Sequence, residues 1–309
     1  MKRDTDGFVL VAVIWVLAIL TVLAIGFGRR ALLDQRAAAL SIDRTRTQYL
    51  ARGAVEYGIA HMRNQAMLQS IAEQYGGEAP SGIHGVRKNL LEEDGIFDLG
   101  DPSQQSSDDV SFAVEECEGR ISLNSTPREV FDAIEGLSFT TVTAILRRRD
   151  EEVPQPFLTA EEARFVDGIT DQSWYGTPDR PGLRDLFTVH GDGRINVNAA
   201  PREVLEALPD MDPSFVALII SYRAGSDGKL DTSDDRRFRN VEDVATATGI
   251  DMNDLAPLAR FCKFESQFFT ITGTATQRQG KVRSASTAVV QVDGATARVL
   301  NWWEGDLGS

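Results

Sequence analysis

The chain has 309 residues, of which 42% are hydrophobic and 25% are charged, and this composition predicts an ordinary globular body with an ample core. Its formal net charge is −14 at pH 7. Because an acidic body repels phosphate backbones and anionic lipid, this charge weighs against nucleic acid as a partner.

The first predicted element is an apolar helix from Phe8 to Gly28, in which no residue is charged and only Thr21 is strongly polar. At about 1.5 Å per residue it spans roughly 30 Å, the thickness of one bilayer core. A cleavable secretory signal has a shorter apolar run followed by small residues, which this stretch does not match. We therefore predict a single transmembrane helix, and a plain membrane anchor is its simplest interpretation.

A polar helical stretch follows, without Gly or Pro from Ala31 to Arg52. Small and apolar residues then recur at helical spacing, which predicts one buried helix face: they are Ala51, Ala54, Val55, Gly58, Ile59, Met62 and Ala66. Gly76 and Gly77 are expected to end the helix. Gly53 and Gly58 are either close-packing points or weak breaks. The pattern predicts one long helix, first embedded in a membrane and then packed on a domain.

The β pattern is divided between two distant parts of the chain. Residues 78–110 are predicted to be a loop with one short strand near Ile96 and Phe97. Alternation predicts a strand from Val110 to Val114, with residues 120–124 as its partner. Three antiparallel strands are predicted near the end of the chain, at 268–275, 282–292 and 297–303, with Trp302 and Trp303 packing on the sheet.

An internal repeat separates the two β regions. Residues 119–130 match residues 193–204, and the register holds as far as Arg149 and Arg223. Each unit predicts a short strand that ends in an asparagine, then a proline at the first helical position and a glutamate in the first turn, where the helix dipole favours it. These residues are Asn124, Pro127 and Glu129 in the first unit and Asn198, Pro201 and Glu203 in the second.

The predicted helix pairs resemble the helix-hairpin-helix of DNA-binding proteins, which brings bare backbone amides of a Gly-x-Gly turn to phosphate. The turns here, 135–139 and 209–213, contain acids and at most one glycine. The cluster Arg147-Arg148-Arg149 is the best candidate for phosphate contact, but three acids follow it at once. We interpret the pairs as structural hairpins.

Four aspartates lie close together in one loop inside this helical region: Asp227, Asp231, Asp234 and Asp235. Clustered carboxylates on a loop suit Ca²⁺, which takes six to eight oxygen ligands. The spacing is not that of an EF-hand. A solvated acidic turn is the alternative.

A catalytic set is not expected. The three histidines, His61, His84 and His190, have no Ser or Cys partner at a recognisable spacing. The sequence also shows neither a phosphate-binding loop nor a dinucleotide fingerprint. We predict that the chain is not an enzyme.

The N-terminus carries a more specific resemblance. Residues 1–7 form a short leader that begins with Lys2 and Arg3 and ends in Gly7, and Phe8 opens the apolar helix. This resembles the prepilin leader of type IV pilins and type II secretion pseudopilins. The resemblance implies that a prepilin peptidase cuts after Gly7 and methylates the new N-terminal Phe8.

The residue at position 12 indicates which type of pseudopilin the chain resembles. Most members of the family carry a glutamate at the fifth mature position, where it neutralises the terminal amine of a neighbouring subunit, but this chain has Ala12. Minor pseudopilins of the K type resemble it in lacking that acid and in carrying an asparagine-rich pattern twice in a helical insertion. Some K-type members bind calcium, so the resemblance favours calcium binding by the four aspartates. The resemblance implies a subunit at the tip of the periplasmic pseudopilus, with I-type and J-type minor pseudopilins as partners and the bacterial inner membrane as its anchor.

The fold class expected is α+β: a pseudopilin fold with a long helix on a small antiparallel sheet, interrupted by an all-α insertion with two helix-hairpin-helix-like repeats. The expected segments are a leader at 1–7, a transmembrane helix at 8–28, the first part of the α/β domain at 29–118, the insertion at 119–262 and the final strands at 263–309.

Three questions stay open at this level. Five arginines follow the apolar helix within its reach, so the positive-inside rule alone would put the body in the cytoplasm, whereas the resemblance puts it in the periplasm. The only cysteines, Cys117 and Cys262, form either a disulfide in an oxidising periplasm or two buried thiols. The main rival function is a membrane-anchored DNA-binding protein of an uptake apparatus.

Overall fold

The fold is described here from a computed structural model, which describes residues 6–75, 87–89, 109–151, 154–178, 180–230, 232, 234–278, 280–294 and 296–306. The first element is helix α1, Asp6–Tyr75. It contains the whole predicted apolar helix and its polar continuation, and it passes Gly26, Gly28 and Gly53 without a break. The prediction of one long helix is therefore confirmed. The strand expected near Ile96 and Phe97 lies outside the described residues.

The remaining helices are short. In chain order they are α2 Arg128–Ala133, α3 Phe139–Asp150, α4 Asp171–Tyr175, α5 Leu183–Leu186, α6 Arg202–Glu206, α7 Pro213–Arg223, α8 Val241–Thr248 and α9 Ala256–Phe261. In the described residues, one 3-10 turn, Cys117–Gly119, precedes α2, and another, Ala160–Phe165, lies between α3 and α4.

The strands in chain order are β1 Arg87–Asn89, β2 Asp109–Glu116, β3 Ile121–Ser122, β4 Gly176–Thr177, β5 Arg180–Pro181, β6 Phe187–Thr188, β7 Ile195–Asn196, β8 Cys262–Lys263, β9 Phe268–Gln277, β10 Val282–Asp293 and β11 Thr296–Asp306. Five of them form one antiparallel sheet in the order β1-β2-β9-β10-β11. The three predicted C-terminal strands are thus confirmed. Residues of β9 alternate between buried and half-buried, as expected of a strand with one face on a core.

The other ladders correct two expectations. Residues 120–124 do not pair with β2; β3 runs parallel to β6 instead, because the 3-10 turn Cys117–Gly119 carries the chain away from the large sheet. The region 119–262 is also not purely helical. It holds two parallel two-residue ladders, β3–β6 and β7–β8, and the small hairpin β4–β5.

One buried core lies between α1 and the sheet. The predicted stripe on α1 supplies Ala51, Ala54, Val55, Ile59 and Met62, which pack on residues of β2, β9 and β10. The helix approaches the sheet closely because small residues face it. A Cβ on Gly58 would lie 2.9 Å from the Ile271 side chain, and a Cβ on Gly273 would overlap the carbonyl oxygen of Ala51. Gly58 is therefore a close-packing point and not a break.

A second buried core belongs to the helical region and runs from Ile121 to Cys262. It shares none of its buried residues with the core under α1. The two cores agree with a helical unit placed between two sequence halves of an α/β unit, but the exact boundaries at 118/119 and 262/263 stay a prediction.

We predict that Gly273→Ala destabilises the protein by about 1–3 kcal/mol, because the added methyl forces β9 away from the backbone of α1. Gly305→Ala is the matched control: this glycine lies in β11 of the same sheet, and its Cβ would meet nothing within 4 Å. We expect the control to change the free energy of unfolding by no more than about 0.5 kcal/mol. Urea unfolding of the full chain in detergent measures both, and equal losses would contradict the close approach.

Candidate functional site

The N-terminal part of α1 presents apolar side chains on every side. Leu10, Trp15 and Phe27 are 63%, 66% and 70% exposed, and the large apolar residues between them are similarly uncovered. By length and composition, α1 is the one helix in the described part of the chain that could cross a membrane; a signal sequence near the N-terminus would meet the same criterion. A surface of this kind is stable only in lipid or against other apolar helices.

The residues expected to be processed lie at the start of this helix. Gly7 and Phe8 have helical backbone, whereas Lys2 and Arg3 lie outside the described residues. Ala12 is exposed one turn further on. No acidic side chain occurs between Phe8 and Gly28, so this segment has nothing with which to neutralise a positive charge brought beside it.

A buried carboxylate joins the sheet to the helical region. Glu118 is 1% exposed and lies in the 3-10 turn after β2. Its Oε1 accepts from Lys263 Nζ at 2.5 Å, and its Oε2 accepts from the backbone N–H groups of Gln267 at 2.6 Å and Phe268 at 3.2 Å. Lys263 also pairs with Asp192 at 3.2 Å. One side chain thus connects the point where the chain leaves the sheet to the point where it returns.

Glu116 reinforces the same junction from the end of β2. It is 8% exposed, accepts from Asn196 Nδ2 at 2.6 Å and pairs with Arg237 at 3.4 Å. Burial lowers the pKa of Arg237 to about 10, partly offset by the charge of Glu265. Arg237 still carries its positive charge at neutral pH and remains a full partner for the buried carboxylate.

Each repeat unit is closed by its asparagine. Asn124 donates to the carbonyl oxygens of Phe157 and Val189 and accepts from the Phe157 N–H. Asn198 makes the equivalent three bonds, to Phe238 O, Phe264 O and Phe238 N. An amide side chain can bond two backbone segments at once. The matching bonds of the two asparagines therefore explain why each short strand of the repeat ends in this residue.

The three arginines considered for phosphate contact already have partners within the chain. Arg147 donates to Glu151 at 2.5 Å, Arg148 pairs with Glu162, and Arg149 donates to the Thr126 carbonyl at 2.8 Å. The last contact is structural, because Arg223 makes the same contact with the Ala200 carbonyl in the second unit.

The two hairpin turns also have structural roles. Gly136 has φ +91° and Asp210, its counterpart in the second unit, has φ +60°. Ser138 and Asp212 follow as N-caps that accept from Thr141 N and Ser214 N. Neither turn presents the pair of bare glycine amides that phosphate recognition uses.

In the aspartate loop, Asp234 is the centre of a hydrogen-bond network. Its Oδ2 accepts from Ser226 N and Ser226 Oγ, both at 2.6 Å, and its Oδ1 accepts from Thr232 Oγ1 at 2.8 Å. These bonds hold the pKa of Asp234 well below its usual range, so it stays ionised at neutral pH. Asp231 lies outside the described residues. Within those described, no three acidic, histidine or cysteine side chains are close enough to hold a metal ion.

The cysteines do not form a disulfide in the structure. Cys117 and Cys262 are buried thiols, and Cys117 Sγ lies 3.3 Å from Thr270 Oγ1. Cys262 belongs to the core of the helical region, whereas Cys117 lies in the 3-10 turn that follows β2. Burial raises the pKa of Cys117 to about 11 and raises that of Cys262 further, so neither forms a reactive thiolate at neutral pH.

The two described histidines do not assemble a catalytic site. The ring of His61 lies 6.0 Å from the ring of Phe112, beneath the sheet. His190 is partly buried, and burial lowers its pKa. His84 lies outside the described residues.

The sequence did not reveal the two buried glutamates at the junction, because acids between two predicted strands look the same as those of an exposed turn. A weak signal was present: Glu118 stands between two residues with little or no polar character, Cys117 and Gly119. Nothing in the sequence pointed to its partner Lys263, which is far away along the chain.

Comparison with known proteins finds similarity in solved structures but not in sequence families. No protein-family profile and no curated protein matches the sequence. The fold is similar to a chain of the crystal structure of the GspK-GspI-GspJ complex from the type 2 secretion system of enterotoxigenic Escherichia coli, with 14% sequence identity and a TM-score of 0.48. The match covers 85% of this chain and 99% of that chain. A TM-score this low carries no conclusion about function.

We predict that the buried Cys117 thiol makes the protein less stable in alkali. Below pH 9.0 the thiol is protonated in both the folded and the unfolded chain. Between that pH and about pH 11 the unfolded thiol ionises while the folded one does not, so the free energy of unfolding falls by about 2–3 kcal/mol. Other groups titrate in the same range, so the comparison is with Cys117→Ala, whose stability should fall less steeply. Parallel curves for the two proteins in urea unfolding at pH 8 to 11 would contradict a buried thiol.

Proposed function

We propose that this chain is a K-type minor pseudopilin of a type II secretion system and that it caps the tip of the periplasmic pseudopilus. The observation that carries the proposal is one helix with two kinds of surface. Its first part begins after the Gly7-Phe8 pair and is apolar on all sides, and its later part packs a single face on an antiparallel sheet. In a subunit built this way, the apolar helix can pass from the membrane into a stack of similar helices, and the folded body stays attached to it.

The absence of an acid at position 12 supports the tip assignment. In a stack of apolar helices, the positive terminal amine of one subunit needs a carboxylate from a neighbour, because an unpaired charge in lipid costs several kcal/mol. Ala12 cannot provide one. Such a subunit can lie at the end of a filament but cannot continue it. The helical region from Ile121 to Cys262 adds bulk that would hinder packing inside a shaft.

The partners and location follow from the same proposal. The chain would be a single-pass protein of the bacterial inner membrane with its body in the periplasm, cut after Gly7 and methylated on Phe8 by a prepilin peptidase. I-type and J-type minor pseudopilins would be its neighbours at the tip. Its role in protein export would be architectural, without catalysis of its own.

The DNA-binding alternative finds little support. The cations of the arginine cluster are paired inside the chain, the two hairpin turns lack glycine amides, and the body is acidic. A phosphate backbone would have to break existing ion pairs against an unfavourable overall field.

We expect the full chain, labelled with an epitope and produced in a host that assembles pseudopili, to be found once per fibre and at one end. Immunogold electron microscopy of sheared fibres measures this. Intact mass of the same material is the control, because a pseudopilin must begin at Phe8 and carry one added methyl group. A chain that still begins at Met1 would argue for a plain anchor, and labels spaced along the whole fibre would contradict the tip role.

Calcium binding by the aspartate loop is a further part of the proposal, and it follows from the resemblance. Among the described residues of the loop, no three carboxylates lie close enough to hold an ion, and hydrogen bonds already occupy the carboxylate of Asp234. Binding would therefore require Asp234 to release the Ser226 groups and other carboxylates of the loop to approach it.

We expect millimolar CaCl₂ to raise the melting temperature of the full chain in detergent, since binding to the folded state alone stabilises it by mass action. Asp234→Asn should abolish the increase. Asp251→Asn is the matched control, since Asp251 is an exposed acid that also accepts a local backbone bond, from Asn253 N at 2.9 Å, outside this loop. An increase that survives in the Asp234 variant, or no increase at all, would rule out this site.

A further inference from the structure

A cavity of about 440 Å³ opens on the second repeat unit, where β7, β8, α8 and α9 meet. Part of its wall is apolar and formed by Val241, Leu258 and Phe264, and part is cationic and formed by Arg194, Arg239 and Lys263. Its volume lies in the range of ligand-binding clefts, and such a wall suits a ligand with one charged and one apolar group. The function proposed above makes no use of this cavity.

Arg194 and Arg239 differ from the other arginines of the helical region. Neither has a carboxylate, carbonyl or ring partner for its guanidinium group within the part of the chain that the structure describes. Every other arginine from Arg120 to Arg260 has one: Arg120, Arg128, Arg147, Arg148, Arg149, Arg164, Arg180, Arg184, Arg202, Arg223, Arg236, Arg237 and Arg260. In a chain with a net charge of −14, it is notable that both unpartnered arginines line the same cavity.

The repeat provides an internal comparison. Arg194 follows Gly193 as Arg120 follows Gly119, and the two arginines occupy equivalent positions. Arg120 pairs with Glu115, five residues earlier. The residue five positions before Arg194 is Val189, which has no charge to offer. The second unit therefore presents a cation that the first unit neutralises.

The other charged groups of the wall have partners. Lys263 is held by Glu118 at 2.5 Å and by Asp192 at 3.2 Å. Glu265, the one acid in the wall, interacts electrostatically with Arg237, which lies outside the wall and also pairs with Glu116. Within the described residues, Arg194 and Arg239 are the two cations of the wall without a carboxylate partner, so a carboxylate of a ligand would pair with them.

Both arginines are attached to fixed backbone. The N–H of Arg194 donates to Asp192 Oδ1 at 2.9 Å, immediately before β7. The N–H of Arg239 donates to Asp243 Oδ2 at 3.0 Å, and Asn240 next to it caps α8. Fixed backbone reduces the entropy lost when a side chain captures a ligand.

We propose that this cavity binds an acidic, extended segment of a partner protein, with a carboxylate of the segment on Arg194 and Arg239 and a neighbouring aliphatic side chain on Val241, Leu258 and Phe264. Guanidinium groups form paired hydrogen bonds with carboxylates, and the apolar wall selects for the adjoining side chain. A phosphate-bearing polymer is disfavoured, because it carries a charge on every unit and is repelled by the acidic body more strongly than a segment whose carboxylates alternate with aliphatic side chains. The choice of a protein as the ligand rests on the proposed function, in which the chain assembles with other subunits.

The test uses the full chain in detergent and a blocked peptide, acetyl-Ala-Glu-Leu-Glu-Ala-amide, in isothermal titration calorimetry. We expect the peptide to bind, more weakly as NaCl is added, and its glutamine counterpart to give no heat. Arg194→Gln and Arg239→Gln should each weaken binding about tenfold, as expected when one charge-assisted contact is lost. Arg180→Gln is the matched control: it removes the same charge from an exposed arginine that pairs with Glu135 and does not line the cavity.

Three results would overturn the proposal: no heat with the acidic peptide, equal binding of the glutamine peptide, or an equal loss in Arg180→Gln. Displacement of the peptide by inorganic phosphate but not by acetate would also overturn it, in favour of a phosphate ligand. A further check is Arg239→Glu, which should lose the acidic peptide and gain a lysine counterpart while melting at the same temperature as the parent. Because the titration needs no fibre, its result is independent of whether the chain is processed or lies at a tip.

Discussion

The two parts of helix α1 need different surroundings: an apolar environment for the first part and a folded sheet for the later part. The rest of the structure depends on this difference. Its first part exposes large apolar side chains all round, which only lipid or other apolar helices can cover. Its later part turns one narrow stripe of small residues to the sheet, where Gly58 and Gly273 let the backbones approach. Because the helix has no break between the two parts, the contacts that hold its later part on the sheet also fix the direction in which the apolar part leaves the folded body.

The sheet in turn depends on how the chain leaves it and returns. β2 ends at Glu116, and the chain comes back through β8 into β9 after the whole helical region. The carboxylate of Glu118 gathers bonds from both sides of that excursion, and Glu116 adds Asn196 and Arg237. Buried carboxylates are costly unless fully satisfied, so removing one partner from this network would destabilise the junction between the two cores.

The similar hydrogen bonds of the two repeat units in the helical region are explained by their matching sequences. Asn124 and Asn198 close their units with matching bonds, and Arg149 and Arg223 support matching turns. The units differ in charge at one equivalent position. Arg120 has an acid beside it, whereas Arg194 has a valine at the corresponding place and opens onto a cavity. In the first unit the arginine pairs with an acid of the same chain, whereas in the second unit the equivalent arginine is available to a ligand.

The sequence by itself determined the long helix, its apolar segment, the three final strands and the repeat, because each is written in local periodicity or in a direct match between two stretches. The processing of Gly7 and Phe8 and the tip role of Ala12 stay predictions, which rest on the order of residues along the chain. Only the tertiary structure decided the pairing of β3 with β6, the burial of Glu118 against Lys263, the separate thiols of Cys117 and Cys262, and the isolation of Arg194 and Arg239. Those outcomes depend on contacts between residues far apart in the chain, and a one-dimensional pattern carries no distance between such residues.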